Sequence, residues 1–269
     1  MKILITGGHT GIGLELTKKL LIGKHKIGLI LRNRERKNNL PKNMNTENID
    51  FFFADLSDQK SIVDIADEII KKWHNVDIIF NNAGVLLDSI YLSKQENEMH
   101  FEVNTLAPLI LSMKIWEKTK EKKEIKIINT VTDFLHKQKK LVSKTILEPV
   151  KNRKLIGAYL QSKLALCLLM NDWGKKEEKV MVYHVTPGPT KTKMTSGPGM
   201  PIWLKPIRNL FFAMPKKSAN HLYNVAFNKN LSDESGSFIQ KGKVYSIPFQ
   251  IDSYTKSKLL ERIKVQLNS

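Results

Sequence analysis

Strand-like and helix-like segments alternate along almost the whole chain, and this alternation restricts the possible folds more than any other feature. Short apolar runs are separated by segments with apolar residues at helical spacing. The predicted strands are Ile3–Thr6, Lys26–Leu31, Ile49–Phe53, Val76–Phe80, Ile125–Val131, Val180–Thr186 and Lys243–Ile247. The predicted helices are Ile12–Leu21, Ile62–Trp73, Glu98–Trp116, Ala158–Trp173, Lys216–Phe227 and Ser253–Leu267. The pattern predicts a Rossmann-type α/β fold, a doubly wound parallel sheet of about seven strands with helices on both faces.

Length and composition are those of an ordinary one-domain protein. The 269 residues, 41% of them apolar, suffice for one well-buried core, and no linker, repeat or low-complexity block interrupts them. We therefore expect a single domain over 1–269, without a membrane-spanning helix. The single cysteine, Cys167, excludes an internal disulfide, and no signal-peptide pattern precedes the first strand. These features predict a cytoplasmic protein.

The net charge of +18 needs an explanation. A nucleic acid or an anionic membrane would attract such a chain, and a biased composition would also produce the charge. Lysine greatly outnumbers arginine, and the lysines are scattered over many predicted helix faces. Nucleic-acid recognition usually relies on arginine and clustered aromatic residues, so we favour compositional bias and expect no nucleic-acid partner.

A glycine-rich turn connects the first predicted strand to the first predicted helix, with the sequence Thr6-Gly7-Gly8-His9-Thr10-Gly11-Ile12-Gly13. Glycines in this place let the chain turn tightly and bring its backbone close to a pyrophosphate. The helix N-terminus adds unpaired N–H groups and a positive dipole. A merely tight turn is the alternative to a dinucleotide site. The residues predicted to bind the dinucleotide are Gly7, His9, Thr10, Gly11, Ile12 and Gly13.

The end of the second predicted strand indicates which dinucleotide binds. A chain that binds NAD usually has a carboxylate there for the ribose 2′-hydroxyl, whereas this chain has Arg32 and Arg34. Guanidinium groups suit a 2′-phosphate, so we predict a preference for NADP(H). The alternative is that both arginines are simply exposed in a basic protein.

Further candidates lie after the later strands, where the ligands of parallel sheets bind. Asp55-Leu56 follows the third predicted strand, and Asn81-Asn82-Ala83-Gly84 follows the fourth. In the next helix, Pro108 cannot donate the helical hydrogen bond to Asn104, four residues earlier. Such a break of the local rules is a sign of a functional residue.

Tyr159 and Lys163 are the strongest candidates for chemistry. Four residues apart, they share one face of a helix that lies between the fifth and sixth predicted strands. An ammonium beside a phenol lowers the phenol pKa from about 10 toward neutrality, so that the phenol exchanges a proton with a substrate oxygen. The alternative is that Tyr159 and Lys163 lie on an exposed helix face and have no function in chemistry.

These motifs resemble those of the short-chain dehydrogenase/reductase family over nearly the whole chain. The glycine motif matches Thr6 to Gly13, Asp55 resembles the adenine-side acid, and Asn104 resembles the active-site asparagine. The resemblance implies an NADP(H)-dependent oxidoreductase with a small carbonyl/alcohol substrate, in the form of a homodimer or homotetramer. The remaining matches are Asn81–Gly84, the Tyr-X-X-X-Lys pair Tyr159 and Lys163, and the late Pro187-Gly188 with Thr192.

The resemblance also implies the roles of the site residues. Tyr159 is the general acid in reduction, Lys163 lowers its pKa and holds the nicotinamide ribose, and Asn104 positions a water. Thr132 stands where the family has its catalytic serine; a threonine hydroxyl still donates to a carbonyl, although its methyl group narrows the pocket. The long interval between Thr132 and Tyr159 resembles the retinol-dehydrogenase and protochlorophyllide-reductase branch.

Two alternatives to a soluble enzyme stay open. The threonine in place of serine suits a non-catalytic NADP(H)-binding sensor, although a sensor needs neither Tyr159 nor Lys163. Apolar and basic residues at 202–214 suit a peripheral membrane enzyme with weak surface contact; we favour a substrate lid over 189–214 with an apolar inner face. Cys167 and His184 are expected to be structural, and no residue cluster has metal-ligand spacing.

Overall fold

One sheet forms the centre of the computed structural model, which describes residues 1–119, 123–136, 140–149, 153–228, 234–245 and 251–267. Its strands in these residues are β1 Lys2–Thr6, β2 Lys26–Leu31, β3 Ile49–Phe53, β4 Ile78–Asn81, β5 Ile125–Thr130, β6 Val180–Thr186, β7 Ser237–Gln240 and β8 Lys243–Tyr245. Their order across the sheet is β3-β2-β1-β4-β5-β6-β7-β8. The strands β1 to β7 pair in parallel, and β8 pairs antiparallel with β7. The chain changes direction across the sheet between β1 and β4, where the ligands of such folds bind.

Helices connect the strands and cover both faces of the sheet. Their bounds are α1 Gly11–Ile22, α2 Gln59–Trp73, α3 Met99–Phe101, α4 Ala107–Lys118, α5 Lys144–Leu147, α6 Ala158–Gly174, α7 Lys193–Ser196, α8 Leu204–Phe211, α9 Pro215–Phe227 and α10 Ser253–Leu267. A π-helical turn, Glu102–Leu106, joins α3 to α4. Among the described residues, no helix has both the length and the apolar character needed to cross a bilayer.

The alternation of side chains along each strand creates two hydrophobic cores. In β1, Leu4 points to one face of the sheet, and Ile3 and Ile5 point to the other. The core on the Leu4 face packs against α2, α4 and α6, whereas the core on the Ile3 face packs against α1 and α9. The sheet is therefore buried on both sides, which explains why its strands are almost continuously apolar.

The fold class predicted from the sequence is confirmed, and the differences are local. The predicted helix Glu98–Trp116 contains the π-helical turn, and the predicted strand Val76–Phe80 begins two residues later, at Ile78. The strand β7 escaped prediction because its four residues carry only two large apolar side chains, and its pairing with β6 supplies the rest. The predicted last strand begins at Lys243 as expected, but its last residues, 246 and 247, lie outside the described residues.

Candidate active site

A cavity of about 850 Å³ opens at the carboxyl ends of the parallel strands and brings together most of the predicted site residues. It lies where the chain changes direction, beside the turns that follow β1, β4, β5 and β6. The predicted residues that line it are Gly7, His9, Thr10, Gly11, Ile12, Ala83, Gly84, Thr132, Tyr159, Lys163, Pro187, Gly188 and Thr192. The predicted residues outside this lining are Gly13, Arg32, Arg34, Asp55, Leu56, Asn81 and Asn104.

The glycine-rich turn has the shape that a phosphate-bearing ligand requires. Gly7 and Gly11 have φ values of +68° and +53°, a backbone region that side chains disfavour. A side chain at Gly13 would overlap the Gly7 carbonyl oxygen, so this glycine permits the close packing of the turn. Thr10 precedes α1 without capping it through its side chain, so the first N–H groups of the helix stay available at the cavity.

The arginines after β2 lie at the margin of the site, beside residues that follow β3. The Arg32 Nε lies 3.6 Å from the Asp55 Oδ2, and both side chains are exposed. Arg34 places its guanidinium 5.0 Å from the centre of the Phe53 ring. Burial acts to raise the pKa of Asp55, but hydrogen bonds from Ser57 and the charge of Arg32 outweigh it and lower that pKa. Asp55 is therefore an anion beside Arg32, while Leu56 packs against the core.

The two asparagines after β4 face different surroundings. The Asn81 side chain is buried and donates to the Asn129 Oδ1 at 2.9 Å and to the Ser112 Oγ at 3.2 Å. Asn82, which the sequence analysis named only as part of the motif Asn81–Gly84, lines the cavity, and its Nδ2 donates to the Thr6 backbone oxygen at 3.2 Å. Asn81 thus braces the sheet, whereas Asn82 fixes the end of β4 against β1.

Tyr159 and Lys163 lie one turn apart on α6, and both line the cavity. The Lys163 Nζ donates to the Thr130 backbone oxygen at 2.9 Å. A side chain at Gly84 would lie 3.5 Å from the Lys163 Nζ and 2.9 Å from the Asn104 Oδ1, so the glycine keeps this space open. The end of β5, the turn after β4 and the helix α6 therefore converge on one point.

The pKa values at this point differ from the sequence-based expectation. Burial, with the nearby carboxylate of Asp133, raises the pKa of Tyr159 to about 12. Burial also lowers the pKa of Lys163 to about 8. The sequence analysis expected the Tyr159 pKa to fall toward neutrality, whereas burial moves it upward here, and the Lys163 Nζ donates to the Thr130 oxygen. Tyr159 stays a neutral phenol at neutral pH, the form that can give a proton.

Asn104 lies on the π-helical turn and does not point into the cavity. Its Nδ2 donates to the Val85 oxygen at 3.0 Å and to the Ser162 Oγ at 3.2 Å, and its Oδ1 accepts from the Val85 N–H at 2.8 Å. The wide turn is closed by the Ala107 N–H, which donates to the Glu102 oxygen. Asn104 therefore ties the turn after β4 to α6, and the local irregularity expected before Pro108 is this π-helical turn.

Thr132 follows β5 and lines the cavity, half-buried. Its Oγ1 accepts a hydrogen bond from the Phe134 N–H at 3.4 Å. Since the hydroxyl oxygen is the acceptor in this contact, the hydroxyl proton is left for a partner in the cavity. The Thr132 hydroxyl is therefore free to donate to the oxygen of a ligand in the cavity.

The apolar side of the cavity comes partly from the predicted lid and partly from two residues that the sequence analysis missed, Leu86 and Leu155. Leu86, Leu155, Met200 and Leu204 form a buried cluster with Tyr159, and Met194 and Phe212 pack against it. Met194, Met200, Leu204 and Phe212 fall within the predicted lid, 189–214, whereas Leu86 and Leu155 lie outside it. Isolated apolar residues in connecting segments give no sequence signal of a binding wall, because their spacing follows no helical or strand period.

A buried acid–histidine pair braces the back of the same site. The His100 Nδ1 lies 2.7 Å from the Glu98 Oε1, and the Leu87 N–H donates to the His100 Nε2 at 2.9 Å. Because Nε2 accepts, His100 carries its proton on Nδ1 and donates it to Glu98. The His100 ring also meets the Tyr159 ring edge-on, with centroids 6.2 Å apart. The sequence offered no signal for this pair beyond a polar residue at each position.

Replacing His100 by Phe is expected to destabilise the protein strongly. The change leaves the buried Glu98 carboxylate and the Leu87 N–H without this partner. Each lost hydrogen bond should lower the free energy of unfolding by about 1–3 kcal/mol. Urea unfolding measures this decrease. His100→Asn is the matched control, since it keeps a donor close to Glu98, and it should lose less. Equal stability of His100→Phe and the parent protein would contradict this account of the pair.

His184 and Cys167 have structural surroundings, as expected. Burial lowers the pKa of His184 to about 3, and its Nε2 lies 2.7 Å from the Asn171 Oδ1. Burial raises the pKa of Cys167, which lies within the core. In the part of the chain that the structure describes, no three His, Cys, Asp or Glu residues are grouped as metal ligands.

Comparison with known proteins identifies the family. Residues 1–199 match the family described as short chain dehydrogenase, and the chain belongs to this family. It is an oxidoreductase of the kind that uses a nicotinamide cofactor.

Relatives with a known name are similar over most of this chain. Retinol dehydrogenase 11 from Homo sapiens is 26% identical over 274 residues, which cover 98% of this chain and 85% of the relative. Retinol dehydrogenase 13 from Homo sapiens is 27% identical over 248 residues, with coverage of 88% and 75%. The similarity to the retinol-dehydrogenase branch noted in the sequence therefore extends beyond single motifs.

Solved structures show the same fold. The NADPH-bound carbonyl reductase from chicken fatty liver has a TM-score of 0.67 at 22% identity, covering 91% of this chain and 98% of that chain. A short chain dehydrogenase from Burkholderia cenocepacia J2315 in complex with NADP also has a TM-score of 0.67, at 20% identity, with coverage of 90% and 96%. These likenesses confirm the Rossmann architecture.

Proposed function

We propose that the protein transfers a hydride between NADP(H) and the carbonyl or alcohol carbon of a lipophilic small molecule. The observation that carries the proposal is that the glycine-rich turn, Thr132, Tyr159, Lys163 and an apolar wall line the same cavity. The apolar cluster around Leu155 and Met200 includes the Tyr159 ring, so an apolar wall adjoins the group that would exchange the proton. The names of the retinol dehydrogenase relatives support a lipophilic substrate.

The residues at the cavity fit a dinucleotide. The open backbone at Gly7 and Gly11 and the start of α1 would hold the pyrophosphate. Two polar atoms of cavity-lining residues, the His9 Nδ1 and the Thr130 Oγ1, are buried without a hydrogen-bond partner, as expected of groups that meet a polar ligand. Lys163 would hold the nicotinamide ribose. The bound nicotinamide would supply or accept the hydride.

The side chains of the protein would handle the proton and the orientation of the substrate. In reduction, the neutral Tyr159 hydroxyl would give its proton to the substrate oxygen while the carbonyl carbon receives the hydride. Thr132 would donate a hydrogen bond to the same oxygen and hold the carbonyl in place. Asn104 would act at a distance, because its bonds to Val85 and Ser162 fix the turn after β4 against α6.

The preference for NADP(H) is tested by Arg32→Ala. Each charge-assisted hydrogen bond to the 2′-phosphate contributes about 1.5–3 kcal/mol, so the NADPH Kd should rise about tenfold or more while the NADH Kd changes little. Titration calorimetry measures both constants. Arg262→Ala is the control, since Arg262 lies on α10 and bonds to Asn97. An equal loss of affinity for NADPH and NADH would refute the preference for NADP(H).

The proposed activity itself is tested with purified protein, NADPH and a panel of aldehydes that runs from short polar to long apolar. Loss of nicotinamide absorbance reports turnover. We expect kcat/KM to increase with the apolar length of the aldehyde, because the wall around Leu155 and Met200 buries it. Tight NADPH binding without turnover on any aldehyde or alcohol would contradict the proposal and favour a sensor.

A further inference from the structure

The segment 189–214 carries two sets of apolar side chains, one that lines the cavity and one that is exposed, and the exposed set is called the outer side here. On the inner side, Met200, Leu204 and Phe212 line the cavity. On the outer side, five large side chains lie 65% to 77% exposed; they are Ile202, Trp203, Leu210, Phe211 and Met214. A substrate lid needs only the apolar side chains that line the cavity. The exposed apolar side chains therefore need a separate explanation. An apolar patch of this kind marks an interaction surface.

The outer side is held in place rather than free to fold inward. The Ala213 N–H donates to the Pro189 oxygen at 2.8 Å, and the Lys191 N–H donates to the Ala213 oxygen at 2.9 Å, which closes the segment at its base. Arg208 on α8 donates to the Thr195 Oγ1 at 3.2 Å and to the Thr192 oxygen at 3.3 Å. The segment therefore presents its outer apolar side chains on a fixed support.

The stretch of sequence that carries the outer side holds charges of one sign only. The sequence contains no Asp or Glu between Glu178 and Asp233. From 191 to 217, the basic residues are Lys191, Lys193, Lys205, Arg208, Lys216 and Lys217. Of these, Lys193, Lys216 and Lys217 are exposed. Large apolar side chains among lysines and arginines are the composition of a surface that enters an anionic lipid interface.

We propose that the outer side of 189–214 docks on the surface of an anionic lipid bilayer. Trp203 and Phe211 would enter the boundary between headgroups and acyl chains, and the surrounding lysines would meet the lipid charges. A second copy of this chain fits less well, because two copies of this basic segment, which contains no acid, would repel each other. The docking does not depend on the hydride chemistry proposed above. It would bring the outer side of the cavity wall against the lipid.

Vesicle flotation tests the proposal with the full chain. We expect the protein to float with phosphatidylcholine vesicles that contain phosphatidylserine, and to float much less with phosphatidylcholine alone or at high salt. The double variant Trp203→Ser/Phe211→Ser should lose at least about tenfold in partitioning. Ile22→Ser is the matched control, because Ile22 is 83% exposed at the end of α1, and it should float like the parent.

A second variant changes no apolar side chain. Lys216→Glu/Lys217→Glu should reduce flotation with the anionic vesicles, and its thermal unfolding and NADPH binding should match those of the parent. Unchanged flotation of both double variants would overturn the proposal. A second outcome would also overturn it: the parent protein does not bind anionic vesicles but forms a dimer, and Trp203→Ser/Phe211→Ser dissociates this dimer. In that case a second copy of the chain would cover this surface. Because the readout is lipid binding, failure here leaves the proposed hydride transfer unaffected.

Discussion

Replacing Tyr159 by Phe should lower kcat by about 10²–10⁴-fold while the protein folds and binds NADPH as before. The Tyr159 ring packs among Leu86, Leu155 and Met200, and phenylalanine keeps this packing. Only the hydroxyl is lost, and with it the group that would give a proton to the substrate oxygen. The effect should therefore appear in kcat and kcat/KM together, which is the signature of an interaction made in the transition state.

Steady-state kinetics on a verified carbonyl substrate, with NADPH titration and thermal unfolding of the same sample, measure this effect. Tyr223→Phe is the matched control, because Tyr223 lies on α9, packs against Phe227 and does not line the cavity. It should retain the parent turnover. If Tyr159→Phe also retained most of its turnover, the proton would come from another group.

Two substitutions of Thr132 should give opposite results. Thr132→Ser keeps the hydroxyl and removes one methyl group, so we expect turnover close to that of the parent and a broader range of substrates. Thr132→Val keeps the shape and removes the donor, and loss of one donor to a developing oxyanion costs about 10²–10³-fold in kcat. Since the Thr132 hydroxyl bonds to the Phe134 N–H and not to the glycine-rich turn, both variants should bind NADPH alike.

Parallel kinetics of the parent, Thr132→Ser and Thr132→Val separate the hydroxyl from the methyl group. The loss in Thr132→Val should fall on kcat rather than on KM, because the hydrogen bond matters most when charge builds up on the substrate oxygen. A valine variant as fast as the parent would show that Thr132 only fills space. In that case the substrate oxygen would be held by another cavity group, such as the unpartnered Thr130 Oγ1.

The fold could be predicted from sequence because its signals are periodic and strong. Strands buried on both faces, such as β1 and β2, read as apolar runs, and α2 carries its buried residues at helical spacing. The positions of the glycine-rich turn, Tyr159 and Lys163 at the cavity also followed from the sequence, since the topology brings the carboxyl ends of the strands together.

The rest of the site depends on contacts between residues distant in sequence, which periodicity does not reveal. Leu86 and Met200 meet in one apolar cluster only after the chain has folded. The pairing of Leu87 with His100 depends on the conformation of a connecting segment. The pKa values of Tyr159 and Lys163 are set by burial, so the spacing on a helix predicted their proximity but not the direction in which the Tyr159 pKa moves.

The central claim is that this chain moves a hydride from NADPH to a carbonyl carbon with Tyr159 as the proton donor. The most direct measurement uses NADPH labelled with deuterium at both C4 positions, a long apolar aldehyde, and mass spectrometry of the product. We expect an alcohol with one deuterium on the former carbonyl carbon, formed by the parent and almost absent with Tyr159→Phe. An alcohol without deuterium, or equal yields from both proteins, would contradict the claim.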